Sequence, residues 1–67
     1  MLEFHEILVG SVWCSTQNPK FQVIVVDVAP RLVGGGGWVT YRPLNDPNYR
    51  VMEEDSWKFQ LAYKHER

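Results

Sequence analysis

Apolar and polar positions alternate along this chain in short runs, and turn-forming residues separate the runs. Val9-Gly10-Ser11-Val12-Trp13-Cys14 opens a first strand. Ser15 to Lys20 is a polar turn, because Asn-Pro initiates turns and Pro19 has no N–H to give to a ladder. Phe21 to Val28 carries the strongest strand signal. Its continuous β-branched run predicts a strand buried on both faces, with Asp27 breaking the run near its end. Pro30 stops that strand, and residues 29–37 form a long connection ending in Gly34-Gly35-Gly36-Gly37. Trp38 to Arg42 is a third strand ended by Pro43. Asn45-Asp46-Pro47-Asn48 is a turn by composition. Tyr49 to Glu53 is a fourth strand. Glu54-Asp55-Ser56-Trp57 breaks the alternation and predicts one turn of 3₁₀-helix, capped by Asp55 or Ser56. Phe59 to Lys64 suits a last strand, and residues 65–67 a frayed tail. Leu2, Phe4, Ile7 and Leu8 fit either a short helical face or an irregular strand. The favoured reading is an extended segment, residues 1–8, packed over one end of the fold. The central strand residues Trp13, Val23, Val25, Val39, Val51 and Leu61 are the expected core.

Length makes this one domain, residues 1–67, and a domain so short has marginal stability. Five short strands, a glycine-rich loop and a 3₁₀ turn before the last strand resemble an SH3-like small barrel. The residues that carry the likeness are Val9-Gly10-Ser11-Val12-Trp13, Trp38-Val39-Thr40-Tyr41-Arg42-Pro43-Leu44 and Trp57-Lys58-Phe59. The Tyr41-Arg42-Pro43-Leu44 segment is similar to one in small uncharacterised bacterial and bacteriophage domains. Their strand reads valine, tyrosine, arginine or glutamine, proline or alanine, leucine. The resemblance covers residues 9–64 and departs from the pattern in the four-glycine loop and the acidic turn. It implies an all-β, five-stranded, partly open barrel and a prokaryotic or viral origin. No catalytic residue carries over from it.

Charge narrows the partners. The net charge of −1 is not the footprint of a sequence-independent DNA binder, which is usually strongly basic. The single cysteine, Cys14, cannot close an internal disulfide and fits a reducing compartment. No apolar run approaches the roughly 18 residues that span a membrane, and the acidic start, Glu3 to Glu6, lacks the basic region of a secretory signal. These readings predict a cytoplasmic protein, in the host cytoplasm if phage-encoded, with no membrane partner.

Candidate chemistry is sparse. Backbone N–H groups of a glycine run can cradle an anion, but a P-loop needs a lysine and a following helix. Here the glycines lead into Trp38-Val39-Thr40, so a flexible hairpin tip is the simpler reading. His5, His65 and Cys14 have no metal-ligand spacing, and no metal or cofactor is expected. Cys14 beside Trp13 reads as a small core residue rather than a nucleophile. Glu53-Glu54-Asp55 reads as a solvated acidic turn, able to steer a basic partner. The large rings Trp13, Trp38, Tyr41, Tyr49 and Trp57 are too many to bury completely. Exposed rings beside arginines suit a protein-interaction surface or a stacking platform for bases.

The sequence therefore predicts a small non-enzymatic binding module. The expected role is an accessory protein that docks on a larger host or bacterial protein and modulates or inhibits it. The alternative is a nucleotide or single-stranded nucleic-acid binder. An enzyme with a site assembled by oligomerisation has the least support. Arg31, Gly34, Gly35, Gly36, Gly37, Trp38, Arg42 and Tyr49 are the candidate binding residues in either case. A homodimer is a further expectation, since an open barrel leaves two sheet edges as templates for pairing.

Overall fold

A computed structural model describes residues 2–65. Within them five antiparallel strands form one open sheet: β1 (Val12–Ser15), β2 (Gln22–Pro30), β3 (Gly37–Pro43), β4 (Met52–Asp55) and β5 (Tyr63–His65). A 3₁₀ turn, Phe4–Glu6, precedes β1, and helix α1, Ser56–Ala62, joins β4 to β5. The strand order is β4-β3-β2-β1-β5, so the first strand lies between the second and the last. The fold is mostly β. No helix among the described residues is long and apolar enough to cross a membrane.

The β-branched run lies in β2, the longest strand. Val23 and Val25 are fully buried, whereas Ile24 and Val26 are half-buried, so one face dominates and the expected two-faced burial is not found. A bulge explains the role of Asp27. The register with β3 shifts between Val25, opposite Tyr41, and Asp27, opposite Thr40. The extra residue, Val26, reverses the facing of everything that follows. Asp27 then points outward, and Val28 returns to the inner face opposite Val39.

Trp13, Val23, Val25 and Val39 form the core as expected, joined by Ile7, Tyr41 and Phe59. Val51 and Leu61 do not join them; both are exposed. The fourth strand starts at Met52 rather than Tyr49, and Met52 is the residue opposite Tyr41. Facing alternates with a period of two, so the inward positions fall on Met52 and Glu54, and Val51 lies before the strand in the loop. Leu61 is exposed because residues 56–62 are helical. The 3₁₀ turn expected over residues 54–57 and the strand expected over residues 59–64 give way to β4, α1 and a shorter β5. Asp55 caps the helix, its carboxylate accepting from the Trp57 N–H at 2.9 Å. Helical spacing puts Ser56 and Phe59 on the buried face. The Phe59 ring centroid lies 5.0 Å from those of Trp13, Tyr41 and Tyr63 alike.

The N-terminal segment packs on the fold, as a 3₁₀ turn rather than an extended run. Glu3 and Glu6 close a capping box around that turn, and Ile7 behind it is buried. Leu2 is held by the Gln60 side chain, which accepts from the Leu2 N–H at 2.7 Å and donates to its carbonyl at 2.9 Å. His65 ends β5 opposite Trp13 instead of opening a frayed tail. Met1 and the rest of that tail, Glu66 and Arg67, lie outside the described residues.

Tyr41 gives the core a pH response. Its pKa is pushed up from 10.0 to about 12, first by burial and then by Tyr63 and Glu54 nearby. Burial disfavours the phenolate, so a raised pKa in the folded state means the neutral phenol stabilises the fold. That contribution is complete below the ordinary tyrosine pKa of 10.0 and is lost as pH rises through about 12. Urea midpoints measured across this range are expected to fall more steeply for the wild type than for Tyr41→Phe. Parallel curves would contradict the assignment.

Candidate binding surface

The β2–β3 connection is built by its glycines. Gly34, Gly35 and Gly36 have φ of +91°, +73° and +67°, a region that residues with a Cβ resist. Three successive left-handed residues bring the Gly36 carbonyl to the Arg31 N–H at 3.1 Å, closing the loop. At its tip Leu32 and Val33 are 99% and 82% exposed. Gly37 has a different role, since it is buried where β3 begins. A Cβ there would overlap the Ala29 carbonyl oxygen and come 2.5 Å from Phe4 Cζ. Its N–H donates to Ser56 Oγ at 3.3 Å.

Two indoles flank this loop. Trp38 pairs with Ala29 on one side and Asp55 on the other, on the outer face of the sheet. Trp57, in the first turn of α1, sits so close that a Cβ on Gly36 would lie 3.3 Å from its Nε1. Trp38 and Trp57 are 41% and 51% exposed. Arg31 leans over the Trp38 ring, its guanidinium carbon 5.1 Å from the centroid. The same guanidinium forms an ion pair with Asp55 Oδ2. The Asp55 carboxylate is therefore shared, with Oδ1 capping α1 and Oδ2 meeting Arg31.

The structure gathers Arg31, Gly34, Gly35, Gly36, Gly37 and Trp38 at one end of β3. Arg42 and Tyr49 are not brought to them. Arg42 stands on the same face of β3 as Trp38 but four residues on, roughly 13 Å along the strand, and donates to the Pro43 carbonyl at 3.1 Å. Tyr49 lies beyond it in the β3–β4 loop, half exposed. Glu53, Glu54 and Asp55 belong to β4 rather than to a turn. Their register sends Glu53 and Asp55 outward beside Thr40 and Trp38, and Glu54 toward Val39. Charge on an edge strand blunts pairing with another chain.

Sequence reasoning named Trp57 among the exposed rings and Asp55 in an acidic turn, but did not bring either to the glycine loop. The helical spacing of Ser56 and Phe59 behind an Asp cap was the signal that would have placed them. It also passed over a groove of about 470 Å³ whose lining includes Leu2, Trp13, Thr16, Gln60, Lys64 and His65. Three of the polar groups there are already engaged: Gln60 by Leu2, Thr16 by the Ala62 carbonyl at 3.1 Å and the Trp13 indole N–H by Ser11 Oγ at 3.0 Å. His65 packs on Trp13 at 4.9 Å between ring centroids, and His5 is exposed on the 3₁₀ turn. Cys14 is half-buried and faces outward opposite Gln22. Among the described residues no three or more His, Cys, Asp and Glu side chains are placed to hold a metal ion.

Comparison with protein families, with curated proteins and with solved structures finds no match to this chain.

Proposed function

We propose that this protein is a non-catalytic docking module on an SH3-like, partly open barrel, and that it engages a larger protein through the β2–β3 loop end. The barrel reading is supported by the strand order, in which β5 lies beside β1 and a helical turn separates β4 from β5. One observation carries the docking reading: Trp38 and Trp57 stand half-exposed on either side of a loop whose Leu32 and Val33 project into solvent. Trp is the residue most enriched at the energetic centres of protein interfaces, and an apolar tip beside two indoles offers a contiguous surface to bury. As a small accessory protein it would modulate or inhibit the protein it docks on. The nucleic-acid reading asks Arg31 and Arg42 to converge on phosphate. Arg31 is instead paired with Asp55, and Arg42 stands at the far end of β3.

The test begins with the immobilised chain and a lysate of its source cells. Each retained protein is then purified and titrated by calorimetry. Trp38→Ala and Trp57→Ala are each expected to weaken the interaction by about 2 kcal/mol, the scale of an interface hot spot. Both side chains are half in solvent, so the fold should persist. A partner that binds both variants as tightly as the wild type would refute the assignment of this surface.

A further inference from the structure

We infer that Trp38 and Asp55 form a guanidinium-binding site that Arg31 occupies in the free protein, and that a partner's arginine takes its place on docking. The inference rests on the docking reading and names the chemistry of the partner: an arginine-bearing protein segment.

The chemistry of the site is displayed by its present occupant. A guanidinium stacks on an indole face and pairs with a carboxylate, the two contacts that suit its planar, delocalised charge. Arg31 makes both, over Trp38 at 5.1 Å and with Asp55. The two halves of the site are held by rigid elements, since Trp38 and Asp55 are register partners across β3 and β4. Asp55 is fixed further by its bond to the Trp57 N–H.

The occupant is held differently. Arg31 begins the loop that continues through Leu32 and Val33 to three left-handed glycines. Its side chain is 36% exposed against 16% for Asp55. A residue at the root of a glycine loop can swing into solvent at little cost, whereas the ring and the carboxylate stay in place. Charge points the same way. Asp27 and Glu53 flank Thr40 on the outer face, one step along from Trp38 and Asp55. Once Arg31 leaves, this end of the outer face presents the Trp38 indole and three carboxylates to an incoming cation. Leu32 and Val33, already exposed at the loop tip, would add apolar contact.

An intramolecular competitor lowers apparent affinity by the fraction of time it holds the site. Removing it should therefore tighten binding. The probe is a capped tetra-arginine peptide, with tetralysine and an oligothymidine of matched length alongside, followed by the NMR shift of the Trp38 indole N–H. Arg31→Ala is expected to bind tetra-arginine roughly fivefold more tightly than the wild type, the scale of one exposed cation–π and ion-pair contact. Arg42→Ala changes net charge equally at the other end of β3 and should leave affinity at the wild-type value. Asp55→Asn keeps the helix cap, and in the Arg31→Ala background it should remove most of the gain. Tetralysine should bind more weakly than tetra-arginine.

Equal gains from Arg31→Ala and Arg42→Ala would reduce the effect to net charge and overturn the site. Preference for the oligothymidine would overturn it in favour of nucleic acid. If tetra-arginine does not bind while a purified protein partner still depends on Trp38, the guanidinium site is wrong and the docking reading stands. If tetra-arginine binds as described while every partner ignores Trp38, the site is upheld and the docking reading fails.

Discussion

Phe59→Ala is expected to leave the chain without a stable fold at room temperature. Phe59 is fully buried, and its ring meets Trp13, Tyr41 and Tyr63 at 5.0 Å between centroids. It is the contact through which α1 closes over the sheet. Truncating a buried Phe costs about 3–5 kcal/mol, part of it from the cavity left behind. A core in a domain of this size rarely supplies more than about 3–5 kcal/mol in total. The loss therefore matches the whole stability, and circular dichroism should show an unfolded spectrum before any urea is added. Leu61→Ala, two residues along the same helix but exposed, should change stability by no more than about 0.5 kcal/mol. A Phe59→Ala protein with a near-native urea midpoint would show that this ring is not the centre of the core.

Gly37→Ala is expected to be the most damaging substitution in the glycine run, by about 1–3 kcal/mol. The obstacle is one-sided. The added methyl meets the Ala29 carbonyl, which belongs to the neighbouring strand and cannot rotate away, and the Phe4 ring, which can. Gly35 makes a useful contrast, because a Cβ there meets nothing within 4 Å and the cost is that of a φ of +73° alone, about 1 kcal/mol or a little more. Coupling with Phe4 separates the causes. Phe4→Ala should recover part of the Gly37→Ala loss, so the double variant is more stable than the sum of the two single losses requires. Strict additivity in urea denaturation would mean that the 3₁₀ turn does not lie over β3.

How far the residues announce the fold differs from strand to strand. β1, β2 and β3 were legible because Trp13, Val23, Val25 and Val39 sit in alternating or β-branched runs bounded by Pro and Gly. β4 was legible as a strand and illegible in its limits. Val51 looks like the better inward residue, yet the length of the preceding loop decides which residue meets Tyr41, and Met52 does. The helix was misread because Phe59-Gln60-Leu61-Ala62-Tyr63-Lys64 alternates loosely. The competing period runs from Ser56 through Phe59 to Tyr63, and the Asp55 cap favours it. Only part of the surface was legible. Arg31 and Trp38 stand out as a charge and a ring at the two ends of a glycine loop. Asp55 enters through cross-strand pairing, and a fourth strand placed three residues too early hides that pairing.

The Leu2 backbone and the Gln60 side chain that clasps it are 58 positions apart, and β1 has β5 as its outer neighbour. During synthesis on the ribosome, β1, β2 and β3 emerge well before the segment that completes them. Through that interval one edge of β1 is unpaired and Trp13 lacks Phe59. Long-range closures of this kind must meet their entropy before any contact rewards it, which places folding toward the slow end for small domains. The nascent meander thus has to wait for residues 56–65, and the exposed edge during that wait is the stage at which a chaperone, or a second nascent chain, would meet it.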